Sequence, residues 1–551
     1  MSAEVTNQQP VPLVNVQIDG VWHQFPKGTR IIEACSQVGK FIPRYCYHPR
    51  LTSPGNCRMC MVQLGMPKMG PDRKPELDPD GKPVHNWVPR TNISCAQDVS
   101  EGLSVRTDSD VVKEARKAVL EFLLINHPLD CPICDQAGEC RLQEFSVDYG
   151  QANSRFLEEK VKKPKHVEIG PRVTYDGERC ILCTRCIRFM REVAKDDVLG
   201  IVNRGGQNYI ACHPNRALDS NYSLNTVDLC PVGALTSTDF RFKMRTWFLK
   251  ETKSICTSCA TGCNTVIGAR ENIVYRQTPR ENNDVNQTWM CDHGRLDFHD
   301  LASPERLLSP LVRGADEPDW NAAFASIASA FKLVAPGQTA LVASGKLTNE
   351  EQYLAARLVE ALGITLHDIV PHQDKGDGIL LSADRNPNTA GAQLLGVSAA
   401  TPGAALPAIT GGVRGGAIKA LIILGEDATQ IGLTEADLKK LEVLVVTSLL
   451  PNATTAAATH VLPACGFAEK RGSMLNKAGR LQRLNQAVQA PGLARADWEI
   501  LAGLQEALTG KPAGFTGIDD VFQALAAAIP AFAGLSLGKI GDLGVQLQPA
   551  S

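Results

Sequence analysis

Three closely spaced cysteines occur in the run C-I-L-C-T-R-C at Cys180, Cys183 and Cys186, and Cys230 follows at a distance in C-P-V-G-A-L. A cubane of iron and sulfide needs one ligand at each of four separate irons, and a tight run of three cysteines with a distant Cys-Pro suits that need. A zinc site needs only two close pairs of ligands. The spacing therefore predicts a 4Fe-4S cluster and electron-transfer chemistry.

A second set lies in H-P-L-D-C-P-I-C-D-Q-A-G-E-C and consists of His127, Cys131, Cys134 and Cys140. A single histidine at a helix end is usually a satisfied surface or core residue. Here, however, three thiolates would leave one iron of a cubane open, with no fourth thiol in reach. We expect His127 to fill that position. Imidazole is neutral where thiolate is anionic, so such a cluster should be easier to reduce.

A third set provides one early cysteine, a close pair and a late fourth, which suits a 2Fe-2S cluster with two thiolates on each iron: Cys46, Cys57, Cys60 and Cys95. A long insertion rich in Pro and Gly precedes Cys95, and Cys35 could replace it as the fourth ligand. Cys35 lies within the helical pattern I-I-E-A-C, however, and is expected to be a buried structural thiol. A zinc knuckle is the alternative for this set.

The fourth set is a Cys-x2-Cys-x3-Cys run with a distant partner, also of 4Fe-4S type: Cys256, Cys259, Cys263 and Cys291. Cys35, Cys212 and Cys465 remain and are interpreted as structural.

Composition supports metals over disulfides. The chain has 18 cysteines in 551 residues, and its first 26 residues contain neither the apolar segment of a signal peptide nor an Arg-rich import sequence. Disulfides are therefore not expected in a reducing compartment.

The net charge of -2 provides no basic field for nucleic acid. No apolar run reaches the roughly 18 residues of a membrane helix.

Local patterns predict a multidomain α+β and α/β protein. Alternating apolar residues around Asp19-Gly20 predict a hairpin, a short helix is expected from Thr29 to Val38, and this order is how a plant-type (β-grasp) ferredoxin begins. A helix from Asp108 should end near Asn126, because Pro128 follows. The basic segment from Lys160 is expected to be a solvated linker. Beyond residue 305, alternating helices and strands predict a doubly wound α/β domain, with a helix and a loose tail after Gly510.

These patterns divide the chain into six predicted segments: a 2Fe-2S ferredoxin-type domain at 11–98, a 4Fe-4S domain with one histidine and three cysteine ligands at 99–150, a 4Fe-4S ferredoxin-type domain at 151–248, a further 4Fe-4S domain at 249–305, an α/β domain at 306–510 and a C-terminal tail at 511–551. Two glycine-containing loops, S-G-K-L-T at Ser344 and T-G-G-V-R-G-G at Thr410, do not match a phosphate-binding loop.

Taken together, these motifs resemble the family of the large iron-sulfur subunit of respiratory complex I, the bacterial NADH-quinone oxidoreductase. The resemblance runs from about residue 13 to residue 305 and rests on I-P-R-Y-C-Y-H, G-N-C-R-M-C, N-H-P-L-D-C-P-I-C-D-Q-A-G-E-C, R-C-I-L-C-T-R-C-I-R-F and C-P-V-G-A-L-T-S. The segment from Val461 to Gln482 looks like a molybdopterin oxidoreductase, and the cluster at Cys256 looks like the one at the head of that family.

The resemblance implies a subunit of a proton-translocating NADH:quinone (ubiquinone) oxidoreductase that has no NADH, flavin or quinone site of its own. Electrons would pass from the NADH/FMN-binding subunit to the 2Fe-2S centre at Cys46, the cubane at Cys180 and the cubane at His127. The Cys256 cluster would lie off this path, and the C-terminal domain would be degenerate, with no molybdopterin. The implied partners are peripheral-arm subunits at the cytoplasmic side of a bacterial inner membrane, with membrane contact only through the complex.

Three alternatives remain open. The diaphorase-linked subunit of an NAD-reducing hydrogenase shares the first three cluster sites. A molybdenum-dependent, NAD-linked formate dehydrogenase would need its own catalytic centre, which stoichiometric molybdenum would reveal. In a purely structural protein the cysteines would bind zinc instead of iron and sulfide.

Overall fold

The computed structural model describes residues 11–71, 74–79, 81 and 83–547. The chain divides into two compact units, one ending at Trp247 and the other beginning at Phe248. The prediction that no signal peptide is present concerns residues 1–26, of which 1–10 lie outside the described residues, as do residues 548–551 of the predicted tail. In the described part of the chain, no helix combines the length and the apolar character needed to cross a membrane.

The first unit is built mainly of short strands. Its strands are β1 (Leu13–Ile18), β2 (Val21–Pro26), β3 (Met61–Pro67), β4 (His85–Trp87), β5 (Asn92–Ile93), β6 (Leu103–Arg106), β7 (Val167–Glu168), β8 (Val173–Tyr175), β9 (Leu199–Val202), β10 (Tyr209–Cys212) and β11 (Leu235–Ser237). Its helices are α1 (Ile31–Gln37), α2 (Asp110–Ile125), α3 (Arg141–Tyr149), α4 (Arg185–Glu192) and α5 (Asn225–Leu229).

The N-terminal sheet has the order β2-β1-β6-β3-β4, with β5 paired to β3. The predicted hairpin is present: β1 and β2 pair antiparallel, with Val14 opposite Phe25 and Ile18 opposite Val21. The strand β6 lies parallel to β1. Alternate residues of β1 are buried together with the apolar face of α1, because side chains alternate between the two faces of a strand. This small core supports the loop that carries Cys46 and Cys57.

Helix α2 ends where the sequence predicts, one residue before Asn126. The segment from Lys160 differs from the expected solvated linker. Lys160 Nζ donates to the backbone oxygens of Leu124 and Ile125 at 2.9 and 2.6 Å, and Lys163 Nζ donates to Asn208 O at 2.9 Å. A cation at a helix C-terminus satisfies carbonyls that have no partner within the helix. The segment has no regular structure, but Lys160 fixes the end of α2 and Lys163 ties the segment to the turn before β10.

The second unit contains the remaining elements. Its strands are β12 (Lys250–Ile255), β13 (Asn264–Arg270), β14 (Ile273–Pro279), β15 (Leu311–Val312), β16 (Thr339–Ser344), β17 (Leu366–Val370), β18 (Ala420–Leu424), β19 (Val443–Ser448), β20 (His460–Pro463), β21 (Gly472–Leu475), β22 (Arg480–Leu484) and β23 (Val545–Gln546). Its helices are α6 (Asp292–Leu296), α7 (Trp320–Phe331), α8 (Asn349–Ala361), α9 (Thr389–Leu394), α10 (Leu406–Gly415), α11 (Glu435–Leu438), α12 (Ala453–Ala457), α13 (Asp497–Thr509), α14 (Ile518–Ala528) and α15 (Leu537–Ile540).

The doubly wound α/β domain is confirmed in this unit. Its sheet has the order β15-β20-β19-β18-β16-β17, and every pairing from β20 to β17 is parallel. Successive residues of β18 belong to different cores: Leu421 and Ile423 pack on one face, Ile422 and Leu424 on the other. A strand of a parallel sheet that is covered on both faces has apolar residues at successive positions, as A-L-I-I-L has in β18.

The loose tail expected after Gly510 is wrong for the described residues up to 547. Phe522 and Phe532 are fully buried in one cluster with Leu537 and Ile540, and β23 pairs with β22. The sequence in this region is rich in Ala and Gly, and this composition led to the prediction of a loose tail. The burial of a few large apolar residues nevertheless holds the segment in place.

Candidate metal centres

The structure brings together the four cysteines predicted to bind a 2Fe-2S cluster, called the first set from here on. Cys46 and Cys57 lie in the loop after α1, Cys60 immediately precedes β3, and Cys95 lies between β5 and β6. Side-chain hydrogen bonds join Cys46 to Cys57 and Cys95, and Cys60 to Cys95. The hydrogen bonds from Cys57 and Cys95 lower the pKa of Cys46. Four thiols joined in this chain of contacts match the ligand set expected of a 2Fe-2S cluster.

Cys95 joins this set in the structure, and Cys35 does not. Cys35 is buried in α1, where burial, with a smaller contribution from the charge of Asp19, raises its pKa to about 12. Cys95 is held by both sides of its loop: Arg30 Nη1 donates to Cys95 O at 2.8 Å, and Ser94 Oγ donates to Cys60 O at 2.8 Å. The second contact fixes the late cysteine beside the close pair.

The four cysteines of the C-I-L-C-T-R-C set, called the Cys180 set, border a single cavity. A small cavity of about 20 Å³ is lined by Cys180, Cys183, Cys186 and Cys230 together with apolar side chains such as Ile210 and Val232. Burial raises the pKa of Cys180, Cys183 and Cys230 to about 11, and that of Cys186 still further. Neutral thiols are expected in such an apolar space until a metal displaces their protons.

The loop that presents these thiols has an unusual backbone. Leu182 and Thr184 both have positive φ, 53° and 62°, a conformation that β-branched residues in particular seldom adopt. Asn56 Nδ2, next to Cys57, donates to Leu182 O at 3.1 Å. Strain of this kind persists only where surrounding contacts hold it. The loop of the first set therefore helps to hold the loop of the Cys180 set in shape.

The set led by His127, called the His127 set, lies at the end of α2 and in the loop that follows. Cys134 and Cys140 are buried, Cys131 is exposed, and the three thiols act electrostatically on one another. The charges acting on His127 are those of Asp130, Arg179, Lys160 and Asp176. Burial is the main cause that lowers the pKa of His127 to about 4. The ring is thus neutral at neutral pH, which is the form that binds a metal.

Two arginines outside the cysteine motifs support the His127 set. Arg245 Nη1 donates to Cys134 O at 2.6 Å, and its other terminal nitrogen donates to Pro132 O. Arg179, which is 2% exposed, donates from Nη2 to Asp130 Oδ2 at 2.6 Å. Their guanidinium forks match two acceptors at once, and no local pattern in the sequence marks them.

Gly233 explains part of the motif C-P-V-G-A-L. A Cβ added to Gly233 would lie 2.4 Å from Cys134 Sγ, well inside normal van der Waals separation. The fourth-cysteine loop of the Cys180 set therefore packs directly against a thiol of the His127 set. Glycine is required here for space, and only the tertiary structure shows what occupies that space.

The Cys256 set lies in the second unit. Cys256, Cys259 and Cys263 follow β12, and Cys291 is the N-cap of α6, where Gly294 N donates to its sulfur at 3.5 Å. All four are 3–4% exposed. Burial raises the pKa of Cys291 to about 12. A Cβ on Gly294 would lie 2.6 Å from Cys256 Sγ, so the start of α6 packs against this set as Gly233 packs against the His127 set.

The remaining cysteines lie apart from these sets. Cys212 ends β10 and donates from Sγ to Ile169 O at 3.3 Å. Cys465 follows β20 and lines a cavity at the carboxyl ends of the parallel strands, together with Lys346, Lys470 and Asp497. Lys470 pairs there with Glu351 and Asp497 at 2.8 and 3.1 Å. Ligands of doubly wound folds bind at this edge of the sheet.

The donor atoms fit iron-sulfur clusters. Thiolate is the ligand that these clusters use, and the apolar burial of the Cys180 set would limit the solvent exposure that helps to set a cluster's potential. Among the described histidine, cysteine and acidic residues, no group of three or more could hold a metal ion as the side chains stand. The ligands of a cluster bind different irons, so they surround a group rather than a point.

Five family models match successive parts of the chain. They are the 2Fe-2S iron-sulfur cluster binding domain (12–110), the NADH-ubiquinone oxidoreductase-G iron-sulfur binding region (116–155), the NADH-quinone oxidoreductase subunit 3 ferredoxin-like domain (170–236), the NADH-ubiquinone oxidoreductase NDSU1/NuoG-like 4Fe-4S domain (249–299) and molybdopterin oxidoreductase (382–507). The order of these matches is the order predicted from the cysteine motifs, and the predicted fold classes are confirmed.

Curated relatives match 64% of this chain. The mitochondrial NADH dehydrogenase [ubiquinone] iron-sulfur protein 1 of Solanum tuberosum is 40% identical over 359 residues, which cover 45% of that protein. The G subunit of NADH-quinone oxidoreductase from Rickettsia felis is 39% identical, with 49% of it covered, and subunit 3 from Thermus thermophilus is 37% identical, with 46% covered. The chain thus spans about half the length of the curated relatives it matches.

A solved chain titled as NAD+-reducing [NiFe]-hydrogenase in the H2-reduced state also matches. It is 26% identical, and the match covers 42% of this chain and 91% of that chain with a TM-score of 0.35.

Proposed function

We propose that this chain is the electron-relay subunit of an NADH-quinone oxidoreductase, because a 2Fe-2S domain model and three models of iron-sulfur domains from such enzymes match it in succession. The relatives are named as subunits of NADH-quinone or NADH-ubiquinone oxidoreductases. The proposed overall reaction is oxidation of NADH by a quinone, with NADH, flavin and quinone bound by partner subunits. This chain contributes the sites between them.

The proposal assigns one 2Fe-2S and three 4Fe-4S clusters to the four sets of side chains: Cys46, Cys57, Cys60 and Cys95 for the first, then His127, Cys131, Cys134 and Cys140, then Cys180, Cys183, Cys186 and Cys230, and finally Cys256, Cys259, Cys263 and Cys291. When bound, such clusters accept and release single electrons without making or breaking bonds to a substrate. The protein's task is to hold, space and shield them.

The observation that carries this proposal is the cavity bordered by Cys180, Cys183, Cys186 and Cys230. These four thiols come from two segments of sequence and meet around one apolar space within the same unit as the first set and the His127 set. The thiols of a protein that used zinc for stability would need to converge on one point. A cubane instead needs four ligands that surround it, as these four thiols surround the cavity.

The chain's residues would keep water from the sites and keep the ligands fixed. Cys183 and Cys186 are 8% and 7% exposed, and Ile210 and Val232 fill the cavity wall beside them. Low exposure reduces the solvent rearrangement that accompanies each change of charge, and hydrogen bonds to sulfur adjust the potential. Rigid, dry and fixed sites are the requirements for rapid electron transfer between them.

The C-terminal α/β domain is proposed to be degenerate and to have no molybdopterin, with the Cys256 set off the main path. The partners would be the NADH/FMN-binding subunit and other peripheral subunits at the cytoplasmic side of a bacterial inner membrane. No nucleic acid partner is proposed, since the net charge of -2 gives no basic field.

Metal and sulfide analysis tests the function directly. The chain, purified without oxygen, should be brown and hold about 14 iron atoms with matching acid-labile sulfide. Dithionite reduction should produce distinct low-temperature EPR signals from a 2Fe-2S centre and from 4Fe-4S centres. Cys183→Ser should remove one 4Fe-4S signal, whereas Cys212→Ser should leave all of them. Zinc without sulfide would end the proposal, and stoichiometric molybdenum would instead indicate an enzyme such as a formate dehydrogenase.

A further inference from the structure

Arg188 on α4 binds the backbone of two different cysteine sets. Its guanidinium is buried, and Nη2 donates to Cys46 O at 2.5 Å and to Cys183 O at 3.3 Å. Nη1 donates to Thr52 O, in the loop between Cys46 and Cys57. Nε donates to Thr184 Oγ1 at 3.2 Å, which fixes the positive-φ residue of the C-I-L-C-T-R-C loop. A single side chain therefore connects a first-set loop to the Cys180 set.

Arg185 repeats this arrangement one turn earlier on the same helix. Its Nη2 donates to Tyr47 O at 2.6 Å, and its Nη1 donates to Leu229 O at 3.2 Å. Tyr47 follows Cys46 in the chain, and Leu229 precedes Cys230. Residues three apart lie on one face of a helix, so both guanidinium groups point toward the same boundary between the two sets.

Among the described residues, neither arginine forms an ion pair with a carboxylate. In that part of the chain, every hydrogen bond from either guanidinium ends on a backbone oxygen or on a hydroxyl. Arg185 interacts electrostatically with Cys57 of the first set and with Cys183 and Cys230 of the other. A buried cation needs a counter-charge, and thiolates with the anionic clusters they bind would provide it.

We propose that Arg185 and Arg188 are positioning residues that fix the separation of the 2Fe-2S and 4Fe-4S sites and raise the reduction potentials of both. This inference rests on the proposed function, since it assumes that Cys46 and Cys183 hold clusters. Fixed positive charge stabilises the more negative, reduced form of a neighbouring cluster. The fork geometry fixes the distance, because one rigid plane reaches acceptors in both loops.

The arrangement accounts for the choice of arginine over lysine. Lysine would keep the charge, but its three donors radiate from a single flexible atom and cannot span Cys46 O, Thr52 O and Thr184 Oγ1 together. Glutamine would remove the charge while keeping a polar end. The two substitutions therefore separate the electrostatic effect from the geometric one.

The experiment compares Arg188→Lys, Arg188→Gln and Arg185→Gln in the full chain with reconstituted clusters. Redox titration followed by EPR gives the midpoint potentials of the 2Fe-2S and Cys180 centres, and relaxation enhancement between their signals reports their separation. Arg191→Gln is the matched control: it lies three residues further along α4, is 60% exposed and pairs only with the exposed Asp197 among the described side chains.

Arg188→Gln should make reduction of both clusters about tenfold less favourable, a shift of about 59 mV for a one-electron couple. Arg188→Lys should keep both potentials near the wild-type values but weaken the magnetic interaction, and Arg191→Gln should change neither quantity. If Arg188→Gln loses its clusters, the potentials of Arg185→Gln test the electrostatic effect and the magnetic interaction in Arg188→Lys tests the geometric effect.

Unchanged potentials and unchanged interaction in every variant that retains both clusters would overturn the inference while leaving the proposed function intact. Absence of clusters from the wild-type chain would instead overturn the proposed function. Loss of iron from all three variants, with the control fully loaded, would support the geometric part, because it would show that these arginines hold the two ligand loops together.

Discussion

Arg179 and Asp130 form an ion pair across 49 residues of sequence, with Nη2 and Oδ2 2.6 Å apart. Arg179 immediately precedes Cys180, and Asp130 immediately precedes Cys131. The pair therefore joins the loops of two predicted cubanes, much as Arg188 joins a different pair of loops. Although burial acts in the opposite direction, the hydrogen bond from Arg179 and its charge keep the pKa of Asp130 below its ordinary value.

Breaking this pair should destabilise the first unit. Arg179→Gln removes the buried cation from Asp130 and the 4%-exposed Asp176 and leaves them with the more exposed Lys165 at 3.7 and 3.2 Å. Loss of a buried partner from such a group costs up to about 3 kcal/mol. We expect lower resistance to denaturant and loss of iron from the His127 and Cys180 sets. Arg216→Gln is the control, because Arg216 is about half exposed in its pair with Asp196 and such pairs contribute under about 1 kcal/mol. Equal effects of both substitutions would contradict the prediction.

Gly233→Ala should remove the cubane of the His127 set selectively. The new methyl group would lie 2.4 Å from Cys134 Sγ, and a sulfur bound to iron cannot move away as a free thiol can. EPR of the reduced chain should lack that one 4Fe-4S signal and retain the 2Fe-2S signal. Gly206→Ala is the control, since its nearest neighbour would be Val161 at 3.9 Å. A complete set of signals in Gly233→Ala would show that Cys134 does not hold a cluster in this position.

His127→Cys should keep its cluster and lower the potential of that centre. Thiolate adds negative charge where the neutral imidazole of His127 adds none, so the reduced form becomes less stable. Redox titration with low-temperature EPR measures the shift. His23→Cys on β2, in a part of the sheet without predicted ligands, should leave every potential unchanged. The same midpoint in His127→Cys as in the wild type would argue that His127 is not a ligand.

Glu350 should make stability depend on pH in the second unit. It is fully buried at the start of α8, and burial raises its pKa to about 7 from the ordinary 4.5. A raised carboxyl pKa means that the folded chain holds the proton more tightly than the unfolded chain. The contribution is therefore complete below about pH 4.5 and disappears as the pH rises through about 7.

Glu350→Gln should remove this dependence. Glutamine can still accept from Ser473 N and can donate to Ser473 Oγ, which bond the carboxyl at 2.9 and 2.8 Å. Relative to the wild type, the variant should gain about 3 kcal/mol of stability between pH 4.5 and pH 8, measured by denaturant unfolding of the full chain. Glu360→Gln at the exposed end of α8 is the control. Parallel pH profiles for wild type and Glu350→Gln would exclude this origin of pH dependence.

The sequence was sufficient for the features that depend on neighbours in the chain. The spacing of Cys180, Cys183 and Cys186 fixes how three thiols can point, and the apolar run at β18 requires a strand covered on both faces. The hairpin around Asp19-Gly20 and the end of α2 before Pro128 follow from local backbone preferences in the same way. These predictions needed no knowledge of long-range contacts.

The sequence was insufficient where a contact joins distant segments. It assigned Cys95 to the 2Fe-2S set and Cys35 to the core without any contact to support the choice. The structure adds that Ser94 bonds to Cys60 across 34 residues, whereas Cys35 is buried in α1. It interpreted the segment from Lys160 as a free linker and the chain after Gly510 as loose, because neither the carbonyls at the end of α2 nor the core around Phe522 can be seen from local composition.

Which side chains are candidate iron ligands is therefore predicted by residue type and local spacing, because only thiols and imidazoles at suitable intervals can take that role. How the four sets are spaced and supported is decided by the fold. Arg188 contacts a residue 142 positions away, Arg179 one 49 positions away, and Gly233 one about a hundred positions away. The neighbouring sequence does not show which groups a buried guanidinium will bond or which atoms occupy the space beside a glycine.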